Sequence, residues 1–217
     1  MKNKKLKILE LHAGSRSVGK VCEELGHDVF SVDWTNYEGI DLVIDIQLLK
    51  PSDIPFIPDI IWTSPDCTTY SIAAISHHRK GTEPVSEYAK KCDAVNVHQI
   101  DLINYFLKLN PNLKFYIENP RGMMRKMPFV KDIDRTTVWY CRYGDNRAKP
   151  TDIFTNNLFS ITNQNGWIPR EPCHNGNKNC HHESAPRGSK TGTQGRKDSY
   201  NRSMIPDELI REILKKC

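Results

Sequence analysis

The 217 residues are 38% hydrophobic and 26% charged, a composition that supports one full core and not two, and no apolar run approaches the ~20 residues of a membrane span, so membrane insertion is not expected. The net charge is +5, with much of the excess between Arg121 and Lys197, which suits a polyanionic partner about as well as it suits a solvated basic surface. The basic start leads into a short strand-like run rather than a secretory apolar stretch, and seven cysteines form no tight framework, so a cytoplasmic, reducing location with free thiols is expected.

Residues 6–11 read as a buried strand, and the spacing of Val18, Val21, Cys22 and Leu25 predicts a helix over 17–25. Residues 28–32 and 42–44 are short strands ending at Asp33 and Asp45, and 59–62 is a fourth that runs into Thr63-Ser-Pro-Asp-Cys67. A long helix is expected over 88–109, a fifth strand over 113–117 ending at Glu118-Asn-Pro120, and further strands over 136–143 and 152–155. Residues 205–214 read as a terminal helix with Pro206 in its first turn. The alternation predicts an α/β, doubly wound, Rossmann-like sheet with its chemistry at the carboxyl ends of the strands. Three parts are expected: a main domain over 1–156, a loop-rich insert over 157–202, and a helix over 203–217 that returns to the main domain.

The stretch Glu10-Leu-His-Ala-Gly-Ser-Arg-Ser-Val-Gly19 follows a strand and opens a helix, where backbone can approach a nucleotide-like ligand; His12, Ala13, Gly14, Ser15 and Ser17 are the candidates there. Asp33, beside Trp34, is suited to ribose hydroxyls, and Asp45, beside Ile46, to an adenine amino group. Either acid could be an ordinary loop residue; together they favour an adenosine-bearing cofactor. Cys67 lies just beyond a buried strand in a loop stiffened by Pro65, where a reactive thiol is favoured over a structural one, and Glu118 offers an acid at another strand end.

This ordered set resembles the cytosine carbon-5 DNA methyltransferases. Pro65-Asp66-Cys67 is similar to the family's Pro-Pro-Cys nucleophile motif, Glu118-Asn119-Pro120 to its Glu-Asn-Val motif, and Ala13-Gly14-Ser15-Arg16-Ser17 to its cofactor turn. Arg147-x-Lys149-x-Thr151 resembles its Gln-x-Arg-x-Arg strand, and Ser203-Met-Ile-Pro-Asp-Glu-Leu209 stands where its last motif closes the cofactor pocket. Asp66 replaces the second proline, Thr68 follows the cysteine where glutamine is common, and the second glycine pair of the turn is missing.

The resemblance implies S-adenosylmethionine as cofactor, held by the residues named at 12–17, 33–34 and 45–46 together with Ser64 and Pro65. It implies Cys67 as nucleophile toward carbon 6 of a flipped cytosine and Glu118 as its acid partner, with Arg147 and Lys149 holding the extruded nucleotide. Duplex DNA is the partner it implies, acted on by a monomer, and restriction-modification the setting. Two other readings stand beside it: the same chemistry on RNA or single-stranded DNA, and a nucleic-acid-binding protein that keeps the fold without turnover.

In the insert, Cys173 and Cys180 with His181, His182 or His174 could bind structural zinc, although the spacing matches no common finger and free polar residues in a DNA-facing loop are the alternative. The basic run Pro186-Arg-Gly-Ser-Lys-Thr-Gly-Thr-Gln-Gly-Arg-Lys197 suits phosphate contact.

Overall fold

The computed structural model describes residues 4–174, 176–183 and 199–217. The expected phosphate-contacting run at 186–197 lies outside the described residues.

The strands are β1 (Lys7–Leu11), β2 (Asp28–Asp33), β3 (Leu42–Val43), β4 (Ile60–Thr63), the two-residue β5 (Arg79–Lys80) and β6 (Glu83–Pro84), β7 (Lys114–Pro120), β8 (Arg135–Trp139) and β9 (Pro150–Thr155). Seven of them form one sheet in the order β3-β2-β1-β4-β7-β9-β8, and β5 and β6 make a separate hairpin. Pairing is parallel from β3 to β7 and antiparallel at β7–β9 and β9–β8. From β1 the chain moves outward to β2 and β3, then crosses to β4 on the other side, so a switch point lies between β1 and β4.

Both faces of the sheet are covered, as a parallel sheet requires. Leu9, Leu11, Ile61, Phe115, Ile117 and Phe154 point to one face, where Leu102, Ile103 and Phe106 of α3 (Glu87–Leu109) join them. Their neighbours Ile8, Ile60, Trp62, Tyr116 and Ile153 point to the other, against α1 (Ser17–Glu24) and α5 (Asp207–Leu214). Ser86 starts α3 by accepting the Ala89 N–H at 3.1 Å. No helix among the described residues is long and apolar enough to cross a membrane.

The structure corrects several expected boundaries. β8 stops at Trp139, and Tyr140–Tyr143 forms a 3-10 turn ending at Gly144, whose φ of 86° is the left-handed conformation that reverses the chain toward β9. β7 runs on through Glu118, Asn119 and Pro120, because β9 pairs alongside them. The last helix starts at Asp207, with Pro206 as its N-cap, since a proline disfavours helical backbone in the residue before it. Nor is the insert purely peripheral: Trp167 is fully buried beside α5, its indole N–H donating to Glu212 at 3.0 Å, and α4 (Ser199–Ser203) adds a turn of helix.

A buried polar network holds the loop after β4. Arg79, with its side chain wholly buried, donates to Asp93 at 2.9 Å and to the Thr69 carbonyl at 2.9 Å, and Tyr70 bridges Asp93 and Asn96 at 2.7 and 2.9 Å. The Asp93→Ala variant leaves a buried guanidinium without its counter-charge, and a loss of about 3 kcal/mol or more is expected in urea denaturation. A loss under about 1 kcal/mol would mean that the network is not holding the loop.

Candidate active site

Most of the residues singled out in the sequence arrive at one edge of the sheet, because parallel strands deliver their carboxyl ends to the same side. After β1 the chain winds tightly: His12, Gly14 and Arg16 have φ of 53°, 49° and 55°, all left-handed. Two of these are not glycine, so the turn is held by its surroundings. Arg16 donates to Ser31 at 3.0 Å and pairs with Glu23, and Gly14 N–H donates to Asp33 at 2.9 Å. Gly19 is needed for another reason: a Cβ there would lie 2.6 Å from the Glu10 carboxylate, which is fixed by Ser31 and by the Val18 N–H.

A cavity of about 550 Å3 opens at this edge. His12, Ala13, Gly14, Ser15 and Ser17 line one side, Ser64, Pro65 and Cys67 another, and Glu118, Arg147 and Lys149 a third. Cys67 and Glu118 therefore open into the same space. A smaller recess of about 110 Å3 is lined by Trp34, Asp45 and Ile46, and shares His12, Pro65 and Asp66 with the larger cavity.

Asn119 of β7 donates to the Pro65 carbonyl at 3.0 Å, tying the cysteine loop to the strand that carries Glu118. Tyr140 donates to Glu118 at 2.8 Å, and Lys149 Nζ lies 3.8 Å from the same carboxylate oxygen and 4.6 Å from the centre of the Tyr140 ring. Lys149 reaches this place because β9 is antiparallel, so its beginning sits beside the end of β7.

Burial dominates the ionisation of the cavity wall. It pushes the Cys67 thiol up to about 11, against the pull of Lys149 and with the help of Asp66 and Glu118. It lowers Lys149 against the attraction of Glu118, and lowers His12, whose Nε2 is buried without a hydrogen-bond partner among the described residues. It raises Glu10 to about 7 despite the hydrogen bond from Ser31.

Some residues stand elsewhere than the sequence suggests. Asp33 lines neither cavity; its carboxylate braces the turn through Gly14 N–H and Thr35 N–H. Asp45 does line the recess, with Lys91 at 2.7 Å, and hydrogen bonding to that lysine holds its pKa below the ordinary value. Arg147 reaches the cavity wall, but its guanidinium is taken up by Asp145 and by the carbonyls of Arg202 and Met204 at 3.1 and 3.2 Å. Asp66 accepts from Thr68 N–H and Tyr88, which caps the turn instead of aiming at the thiol. In the insert, Cys173, Cys180 and His182 converge with Cys141, while His181 is exposed and outside the group, a correction to the expected ligand set. Tyr140 and Cys141 escaped the sequence reading because they sit in a segment whose pattern looks like plain strand.

No family model matches the chain, and no curated protein matches it in sequence. Solved structures do match. An Entamoeba histolytica methyltransferase, EhMeth, superposes with a TM-score of 0.54 at 13% identity, over 79% of this chain and 58% of that one. A mutant of Spodoptera frugiperda DNMT2 gives 0.50 at 18% identity, over 83% and 58%. The chain thus has the Rossmann-like fold of methyltransferases, and spans somewhat over half the length of these two proteins.

Glu10 supplies a pH test. Its pKa rises on folding from 4.5 to about 7, so the native state holds the proton more tightly; the resulting stabilisation is complete below about pH 4.5 and is lost as pH climbs through about 7. The variant Glu10→Gln should remove that slope, worth at most about 3 kcal/mol, from stabilities measured by chemical denaturation at several pH values. An unchanged slope would show that Glu10 is already ionised in the fold.

Proposed function

We propose that the protein transfers a methyl group from S-adenosylmethionine to carbon 5 of a flipped cytosine in DNA, through a covalent adduct with Cys67. The observation that carries this reading is that Cys67 and Glu118 face one cavity whose opposite wall is the left-handed turn after β1. The fit to the cofactor rests on two spaces that share His12, Pro65 and Asp66 as lining: the recess beside Asp45 and Ile46 suits an adenine ring next to the exposed Trp34, and the turn from His12 to Ser17 suits the amino-acid end. When bound, the cofactor supplies an electrophilic methyl group.

The chain's own residues prepare the ring to accept it. Carbon 5 of cytosine is a poor nucleophile until a thiolate adds to carbon 6, and Cys67 is the thiol in reach. Glu118, steadied by Tyr140, shares a proton with ring nitrogen 3 and so offsets the charge that develops on addition. Carbon 5 would then attack the sulfonium methyl, breaking the S–CH3 bond and releasing the thioether S-adenosylhomocysteine; loss of the carbon-5 proton to water would let Cys67 leave as thiolate and restore the aromatic ring. Lys149 is the cation that favours the thiolate, and with its pKa lowered by burial it is the side chain assigned to the extruded nucleotide. Arg147 acts at one remove, holding residues 202–204 over the cavity. A duplex target requires the base to be turned out of the stack, at a cost of a few kcal/mol.

Methyl transfer to cytosine-containing duplex DNA should fall by at least about 10³-fold in Cys67→Ala, with cofactor binding retained. A 5-fluorocytosine target should trap a denaturation-resistant adduct with the native chain and none with the variant. Transfer at the native rate by Cys67→Ala would remove the nucleophile from the scheme. Transfer to RNA or single-stranded DNA in place of duplex would keep the site and change the substrate.

With Cys67 held high by burial, the single-turnover rate should climb with pH through about 7 to 9 as the thiolate fraction grows, and Lys149→Met should lower it across that range. A flat profile in both proteins would mean that Cys67 ionisation does not limit the reaction.

A further inference from the structure

Residues 170–183 contain almost nothing that could bury itself. The run is Arg-Glu-Pro-Cys-His-Asn-Gly-Asn-Lys-Asn-Cys-His-His-Glu, with Pro172 its one purely hydrocarbon side chain. Yet Cys173 is only 4% exposed, and the segment is stitched to the turn after β8 on both sides: Arg142 donates to the Glu171 carbonyl at 3.0 Å, and Glu183 N–H to the Asn146 carbonyl at 2.9 Å. Between these two stitches four soft ligand atoms meet. The thiols of Cys141, Cys173 and Cys180 and a ring nitrogen of His182 all lie within 4.8 Å of one another, with Cys173 Sγ 3.5 Å from His182 Nε2.

We propose that Cys141, Cys173, Cys180 and His182 form a structural, tetrahedral zinc site that fastens the insert to the turn bearing Tyr140. Bonds of about 2.3 Å to sulfur and 2.0–2.1 Å to nitrogen give ligand-to-ligand edges of roughly 3.6–3.8 Å, so the group, spanning at most 4.8 Å, would close by up to about 1 Å around the ion. Three thiols and one imidazole complete zinc's usual structural set and leave no open position for catalysis. None of the four lines the large cavity, so the metal stands apart from the reacting groups. Asn177 donates to Cys173 Sγ at 3.3 Å, the kind of outer hydrogen bond that orients a metal-bound thiolate.

The choice of histidine follows from geometry. Of the adjacent pair, it is His182 that meets the thiols, while His181 is exposed and outside the group. Cys141 is the ligand from outside the insert. It follows Tyr140, whose hydroxyl contacts Glu118, so the metal would fix the insert against the segment that steadies the acid. With Pro172 the one purely hydrocarbon side chain in the run, metal binding is the main available source of folding free energy.

The test is elemental analysis of the untagged full chain, purified under reducing conditions without chelator, followed by cobalt substitution. About one zinc per chain is expected, and cobalt should give thiolate charge-transfer absorption with the intense visible bands of a tetrahedral site. The variant Cys141→Ser should bind zinc at least about tenfold more weakly in competition with a chelator, whereas His181→Ala should match the native chain. Should Cys141→Ser fail to fold, protection of the native thiols from alkylation by added zinc gives the same answer. Metal-free native protein that shows no cobalt spectrum would overturn the proposal, as would full zinc affinity in Cys141→Ser or a disulfide among the three cysteines. Metal content is read without any methyl-transfer assay, so this result and that for the active site are independent.

Discussion

The register between β4 and β7 is the constraint on which the site depends. Thr63 stands opposite Ile117 in a parallel pair, so the cysteine loop leaves β4 beside Glu118, which continues in β7 against β9. Asn119 then ties that loop to β7 through the Pro65 carbonyl. Because side chains alternate along a strand, a slip of one residue would turn Glu118 away from the cavity and Asn119 toward it. The hydrophobic pattern prevents this: Tyr116 and Ile117 are buried on opposite faces against different cores, and neither could exchange places without exposing apolar surface and breaking packing.

Around that constraint, the wall of the cavity is assembled from groups that burial drives toward neutrality. Cys67 and Glu10 are raised and Lys149 and His12 lowered, each with desolvation as the leading cause. Where such groups are desolvated, a charge brought close to them interacts more strongly than it would in water. The same burial that makes the thiol reluctant to ionise makes Lys149, less than 4 Å from Glu118, influential on both groups.

The supports of the site come from distant parts of the chain. The loop after β4 rests on Arg79 and on Asp93 and Asn96 of α3, while the Arg147 side chain grips the carbonyls of residues just before α5. The insert contributes Trp167 to the core and brings its cysteines to the turn that carries Tyr140. Cavity wall, the segment before α5 and insert are thus joined by polar contacts at a few points, which makes those points sensitive to single substitutions.

The α/β alternation, the long helix α3, and the placing of Gly14 and Cys67 just beyond strand ends were all legible in the sequence, because periodicity and punctuating residues report on local backbone and on which residues seek burial; Glu118 proved to lie within β7. The order of the strands was not, nor the reversal at Gly144 that makes β9 antiparallel and delivers Lys149 to Glu118. The sequence could name Asp33 and Arg147 as polar residues near a site, but not that one braces the glycine turn and the other grips carbonyls, since hydrogen-bond partners are settled only when distant segments meet. Cys141 shows the same limit: its spacing from Cys173 carries no metal signature, and only the folding of the insert onto the turn after β8 makes them neighbours. Local pattern is encoded in consecutive residues, whereas a site is a property of distances across the chain, and those are decided by tertiary packing.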